Sequence, residues 1–112
     1  MTVITIPLRT GRGGNDRMHW RAALRQKNGE KQATAWAIAQ AKPEKPQLPC
    51  RVLLTRVAPG NGLDDDQVPA ALKYVRDEVA RWIGVDDKHR DIVRYEYAQQ
   101  RGPWAVLIEV QA

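Results

Sequence analysis

The sequence predicts an α+β fold: a two-layer sandwich in which one mixed sheet carries its helices on one face. The predicted element order is β-α-β-α-β-β. Three observations lead there. Short alternating runs at 2–8, 50–57, 91–99 and 104–110 read as strands. Apolar residues recur at helical spacing over 68–83, and 31–41 is alanine-rich and helical in composition. Gly and Pro clusters separate these stretches. Strands interleaved with helices, then two strands in succession, fit a sheet covered by helices. At 112 residues the chain is expected to form a single domain, 1–112, with a modest core.

Taken in order, Thr2–Leu8 alternates Val3, Ile4, Ile6 and Leu8 with threonine and proline, as a strand does. Thr10–Asp16 follows with Gly11, Gly13 and Gly14 among Arg9, Arg12 and Arg17, a basic loop. No G-K-[ST] follows it, which excludes a Walker loop. Asn15 or Asp16 is placed to cap a helix through Met18, Trp20, Ala23 and Leu24. Asn28-Gly29 is a turn signal, so this helix is expected to break there or to begin properly at Glu30. Pro43, Pro46 and Pro49 make Lys42–Pro49 an extended connector. Cys50–Val57 is a strand, and Ala58–Gly62 its exit turn.

The second helix carries Val68, Ala71, Leu72, Val75, Val79, Trp82 and Ile83 on one face. Pro69 suits its first turn, Asp66 or Gln67 its N-cap, and Gly84 its C-terminal stop. Asp91–Gln99 then alternates Ile92, Arg94 and Glu96 against Val93, Tyr95 and Tyr97. Arg101-Gly102-Pro103 reads as a turn and Trp104–Val110 as the second strand of a terminal hairpin.

Carboxylates gather at both ends of the second helix: Asp64, Asp65 and Asp66 before it, Asp86 and Asp87 after it. Like charges packed together repel, so such a group favours a cation, and all-oxygen ligation suits Mg²⁺ or Mn²⁺. One shared metal site is expected if the flanking strands bring the loop after the helix back to its start. A solvated acidic N-terminus plus an acidic turn is the other reading.

Charge is unevenly distributed. Residues 1–62 hold 11 Lys+Arg against 3 Asp+Glu, while residues 63–112 hold 7 against 10. A basic front half with carboxylates behind it suits a polyanion substrate held at a metal centre, although basic surfaces without such partners also occur. His19 lies beside Trp20 and several arginines, with no His or Cys at ligand spacing, so nucleic-acid contact or packing is expected of it rather than metal ligation. The candidate DNA-binding residues are Arg12, Asn15, Arg17, His19, Arg21 and Lys27. The lone cysteine, Cys50, excludes an internal disulfide, and no stretch reads as a signal peptide or membrane span. A cytoplasmic location and no membrane partner are the expectations.

These residues together resemble the RusA family of Holliday-junction resolvases, particularly its short phage and prophage members. The resemblance covers nearly the whole chain. The family's D-x-D-N motif stands here as Asp64-Asp65-Asp66-Gln67, with glutamine in place of asparagine. Its second acidic motif stands as Asp86-Asp87. Its helix lysine is matched by Lys73, about one turn further along, with Asp77 one turn beyond. The resemblance implies a Mg²⁺- or Mn²⁺-dependent endodeoxyribonuclease that resolves four-way junctions by paired symmetric nicks, in DNA recombination and repair. It also implies a homodimer acting on branched DNA. Asp64, Asp66 and Asp87 would hold the metal, with Asp86 as alternate or outer ligand. Lys73 would place a positive charge near the attacking or leaving oxygen; a solvated i,i+4 pair with Asp77 is the plainer role for both side chains. The alternative is a weakened or inactive DNA-binding phage accessory protein on the same fold. An interaction module with no nucleic-acid role is a third class, and it leaves the front-half charge without a purpose.

Overall fold

The computed structural model describes residues 2–11, 19–86 and 88–112. In chain order the elements are β1 (Thr2–Ile6), α1 (Trp20–Ala41), β2 (Cys50–Ala58), α2 (Val68–Ala71), α3 (Lys73–Ile83), β3 (Val93–Arg101) and β4 (Ala105–Gln111). The fold is α+β, with one mixed four-stranded sheet and three helices among the described residues.

Strand order is β1-β4-β2-β3. Strand β4 is antiparallel to both of its neighbours, and β2 runs parallel to β3. Strands β1, β2 and β3 therefore all point the same way.

The expected terminal hairpin does not form, because β2 lies between β3 and β4. The Gly102 N–H donates to the Ala58 carbonyl at 3.1 Å, so the connection crosses the end of β2. Burial explains the choice. Val106, Ile108 and Val110 are fully or almost fully buried, which an interior strand allows. Strand β3 carries Arg94, Gln99, Gln100 and Arg101, a composition suited to a sheet edge.

The core lies along one face of this sheet. Register places Ile4, Ile108, Leu54 and Tyr97 in one row across the four strands. Their neighbours Ile6, Val106, Val52 and Val110 join Ala37 and Ile38 of α1 and Val75, Val79 and Ile83 of α3 in one cluster. The Lys31 ammonium lies 3.9 Å from the Glu78 carboxylate, linking α1 to α3.

Three local expectations are corrected. Helix α1 runs unbroken through Asn28-Gly29. A helical glycine costs only about 1 kcal/mol, and burial of Thr34, Ala37 and Ile38 along one face outweighs it. The cap of α1 is His19, whose Nδ1 accepts from the Arg21 N–H at 3.3 Å; Asn15 and Asp16 lie outside the described residues. The second predicted helix is divided at Leu72, which adopts φ −104° and ψ 10° and is fully buried. The division lets Leu72 and the Val75–Val79–Ile83 face both reach the core.

Gly84 ends α3 at φ 85°, the left-handed position that favours glycine. No described helix is long and apolar enough to cross a membrane.

Candidate functional site

Because β1, β2 and β3 share a direction, the segments leaving them gather at one end of the sheet. These are the basic loop after β1, the acidic turn after β2, and the 102–104 connection after β3. Arg12, Asn15 and Arg17 belong to the first segment and lie outside the described residues. Both stems of that loop are described, and so is the whole acidic turn.

Asp64, Asp65 and Asp66 are all exposed. Their turn is closed by the Gln67 N–H, which donates to the Asp64 carbonyl at 2.8 Å. Of the two N-cap candidates, Gln67 holds the position and Asp66 does not. Gln67 occupies the N-cap in a right-handed helical conformation and makes no side-chain capping bond. Side-chain capping needs an extended backbone at that residue, and this turn has already curled. The carboxylates are thus left facing water.

The turn is anchored by a residue that sequence reasoning passed over. The Gln99 side chain accepts from the Leu63 N–H at 2.8 Å and donates to the Leu63 carbonyl at 2.7 Å. Gly62 leaves the room: a Cβ there would lie 2.9 Å from Gln99 Oε1. Nothing in a lone glutamine near a strand end signals this role. Gln99→Ala removes both bonds and leaves two backbone groups in need of water. It is expected to cost about 1–3 kcal/mol, measured by urea denaturation. A loss below about 0.5 kcal/mol, the range of ordinary surface changes, would show that the turn is held by other contacts.

The stem of the basic loop is fastened to α1. Gln26 Nε2 donates to the Arg9 carbonyl at 3.1 Å and to Glu30 Oε2 at 3.0 Å. Arg56 Nε donates to Thr10 Oγ1 at 3.2 Å, and both side chains are buried. The Arg9 and Arg56 guanidinium carbons each lie 5.3 Å from the Trp104 ring centroid, a separation suited to cation–π attraction. The described stem at Arg9 and Thr10 is therefore tied to α1, β2 and Trp104.

Glu30 is 3 % exposed. Burial pushes its carboxyl pKa up, partly offset by the Gln26 side chain and the Gly11 N–H. The folded chain thus holds this proton over a wider range than the unfolded chain. Its stabilising contribution is complete below the ordinary value of 4.5 and is lost as pH rises through the raised folded value. Glu30→Gln is expected to raise the melting temperature at pH 7, with the gain shrinking as pH falls towards 4.5. A gain that is independent of pH would disprove the titration.

Cations and aromatic rings continue along the helices. Lys27 of α1 and Lys73 of α3 flank one ring, their ammonium nitrogens 5.7 and 6.0 Å from the Tyr74 centroid. The fold thus brings together two lysines that the sequence placed in separate roles. At the start of α1, Trp20 is exposed, with the Arg21 guanidinium 5.1 Å from its centroid and the His19 ring at 5.8 Å.

Asp86 lies elsewhere. It follows α3, and its Oδ1 accepts from the Lys88 N–H at 3.1 Å. With β2 and β3 parallel, the turn leaving β2 and the turn entering β3 lie at opposite ends of the sheet. The 11 residues of α3 alone span roughly 16 Å between them at 1.5 Å per residue. The same end holds the connector before β2: a Cβ on Gly84 would lie 3.9 Å from Lys45 Nζ. The strands therefore do not return Asp86 to Asp64 and Asp66 within one chain; Asp87 lies outside the described residues. Among the described residues no group of three His, Cys, Asp or Glu gathers to hold a metal.

The acidic turn nevertheless fits a hard divalent cation of a particular kind. Mg²⁺ retains several waters and commonly takes one or two carboxylates plus substrate phosphates, without a closed protein cage. Exposed, anchored Asp64 and Asp66 suit that partial role. Comparisons of the chain with protein-family profiles, with curated proteins and with solved structures gave no match.

Proposed function

We propose that this chain is a RusA-like endodeoxyribonuclease that nicks branched DNA, the four-way junction foremost, with Mg²⁺ or Mn²⁺ as cofactor. One observation carries the reading: the acidic turn, the stem of the basic loop and the Lys27–Lys73 pair all belong to one end of the molecule. A polyanion held by the cations there would lie beside the carboxylates. Asp64 and Asp66 would hold the metal, with the substrate phosphate completing its coordination. The metal, when bound, would offset charge on the phosphate and activate water. Arg12, Asn15, Arg17, His19, Arg21 and Lys27 would grip the backbone of the DNA, and Lys73 would add positive charge at the phosphate. Paired nicks need two symmetric sites, which a two-fold homodimer supplies. In that assembly Asp86 would act apart from the acidic turn of its own chain, and Asp87 would join Asp64 and Asp66 as a metal ligand.

The separation of Asp86 from Asp64 and Asp66 favours a second reading: a DNA-binding accessory protein on the same fold that no longer cuts. One assay divides the two. Purified protein is incubated with a synthetic four-way junction or with linear duplex, with Mg²⁺, with Mn²⁺ or with chelator. The nuclease reading expects symmetric nicks in the junction that disappear with chelator. Retained junction binding with no nicks in either metal would leave the accessory reading.

A further inference from the structure

A groove of about 980 Å³ runs along the outer edge of β3, from Pro69 of α2, three residues after Asp66, to the entering end of the strand. Arg51, Arg76, Lys88, Arg90 and Arg94 line it, and Asp91 is the one acidic side chain among the described lining residues. This concentration of positive charge belongs mostly to the half of the chain whose net charge is negative, so composition hides it.

The groove is built. Arg51 and Arg94 face one another across the β2–β3 pair, an arrangement that like charges disfavour. Glu96 lies 3.5 Å from Arg51 Nε and offsets part of that charge. Arg76 reaches down from α3 and donates to the Tyr97 hydroxyl at 3.0 Å. Lys88 and Arg90 are carried by a tight turn, in which the Lys88 N–H donates to Asp86 Oδ1 and the Arg90 N–H to the Lys88 carbonyl. Cations on an edge strand often serve to block edge-to-edge pairing. That role explains Arg94. It does not explain Arg51, which belongs to the interior strand β2, or Lys88 and Arg90, which lie outside the strand.

We propose that this groove is a second binding surface for a phosphodiester backbone, one that starts near the acidic turn at Pro69 and carries its cations towards the entering end of β3. The inference deepens the nucleic-acid reading given above and rests on it. Arginine and lysine at a concave surface contact phosphate oxygens without regard to sequence. Strand β2 has nine residues, so roughly 26 Å separates its two ends at about 3.3 Å per residue. DNA that touches both the acidic turn and these cations passes along the β3 side of the molecule.

The test replaces Lys88, Arg90 and Arg94 together with glutamine. All three are exposed, so the melting temperature should stay at the wild-type value. Binding to junction and to duplex is measured without metal across a salt series. Each lost phosphate contact flattens the log–log salt slope by about 0.9, so the triple variant is expected to be shallower by about two to three. Arg21→Gln with Lys27→Gln, at the other end, is expected to flatten the slope independently, and the two losses should add. A folded triple variant with wild-type affinity and slope overturns the groove. If that variant also cuts junctions like the wild type, the nuclease reading stands without it. A wild type that binds but never cuts, with a variant of flattened slope, sustains the groove and removes the nuclease reading.

Discussion

Asp66→Asn is expected to lower junction cleavage by more than about 100-fold while metal-free junction binding stays equal or tightens. Even the outer partners of metal ligands cost 10–100-fold when changed, so a direct ligand sets a higher floor. The gain in binding follows from removing a negative charge that repels the DNA backbone. The fold makes this substitution unusually clean. Asp66 is exposed, and the N-cap role belongs to Gln67, which makes no side-chain capping bond. The change is therefore expected to alter stability by less than about 0.5 kcal/mol. Lost cleavage at an unchanged melting temperature is then a chemical result. Asp86→Asn is the companion measurement. Asparagine retains an oxygen to accept from the Lys88 N–H, and Asp86 stands at the far end of α3. Cleavage within tenfold of wild type is expected there. An equal collapse in both variants would mean that the two acidic groups serve one site drawn from two chains.

Leu54→Ala carries the largest expected cost to stability. Leu54 is fully buried, on an interior strand, in the row that crosses all four strands. A buried leucine cut to alanine loses about 2–5 kcal/mol, part in transfer and part in the cavity left behind. Domains of about this size have only about 5–15 kcal/mol in total. The melting temperature should therefore fall by roughly 10–20 °C. Val3 is 53 % exposed on the edge strand β1, and Val3→Ala should change it little. A shift at Leu54 below about 5 °C would show that the core closes around the vacancy.

Much of this architecture was legible in the chain, and the failures share a cause. Strand β2 and helix α3 were legible because alternation and helical spacing are local properties. Gly84 was legible as a stop for the same reason. The terminal hairpin was misread because Arg101-Gly102-Pro103 gives the same local signal whether the next strand pairs beside β3 or beyond β2. Asn28-Gly29 was misread because a turn dipeptide yields to a buried helical face. The acidic groups were expected at the two ends of one helix, which the structure divides into α2 and α3, and their distance depends on a parallel β2–β3 pairing that no local pattern records. Gln99, Trp104 and the arginines of the groove gave no signal at all, because each acquires its role from residues 36 to 95 positions away or from a surface assembled by pairing.

The position of β4 has a consequence for how the protein is made. The last described strand of the sheet to be synthesised is an interior one, and among the described residues β1 pairs with it alone. Until residues 105–111 are available, β1 can pair with nothing and β2 lacks its antiparallel neighbour. A nascent chain lacking β4 leaves open the two strand edges that β4 would cover, surfaces prone to pair with the wrong chain. The sheet closes only when its two ends in sequence meet, Thr2 against Val110. Assembly of the sheet therefore waits for residues 105–111, and slow emergence of β4 would lengthen the period in which the edges of β1 and β2 stay open.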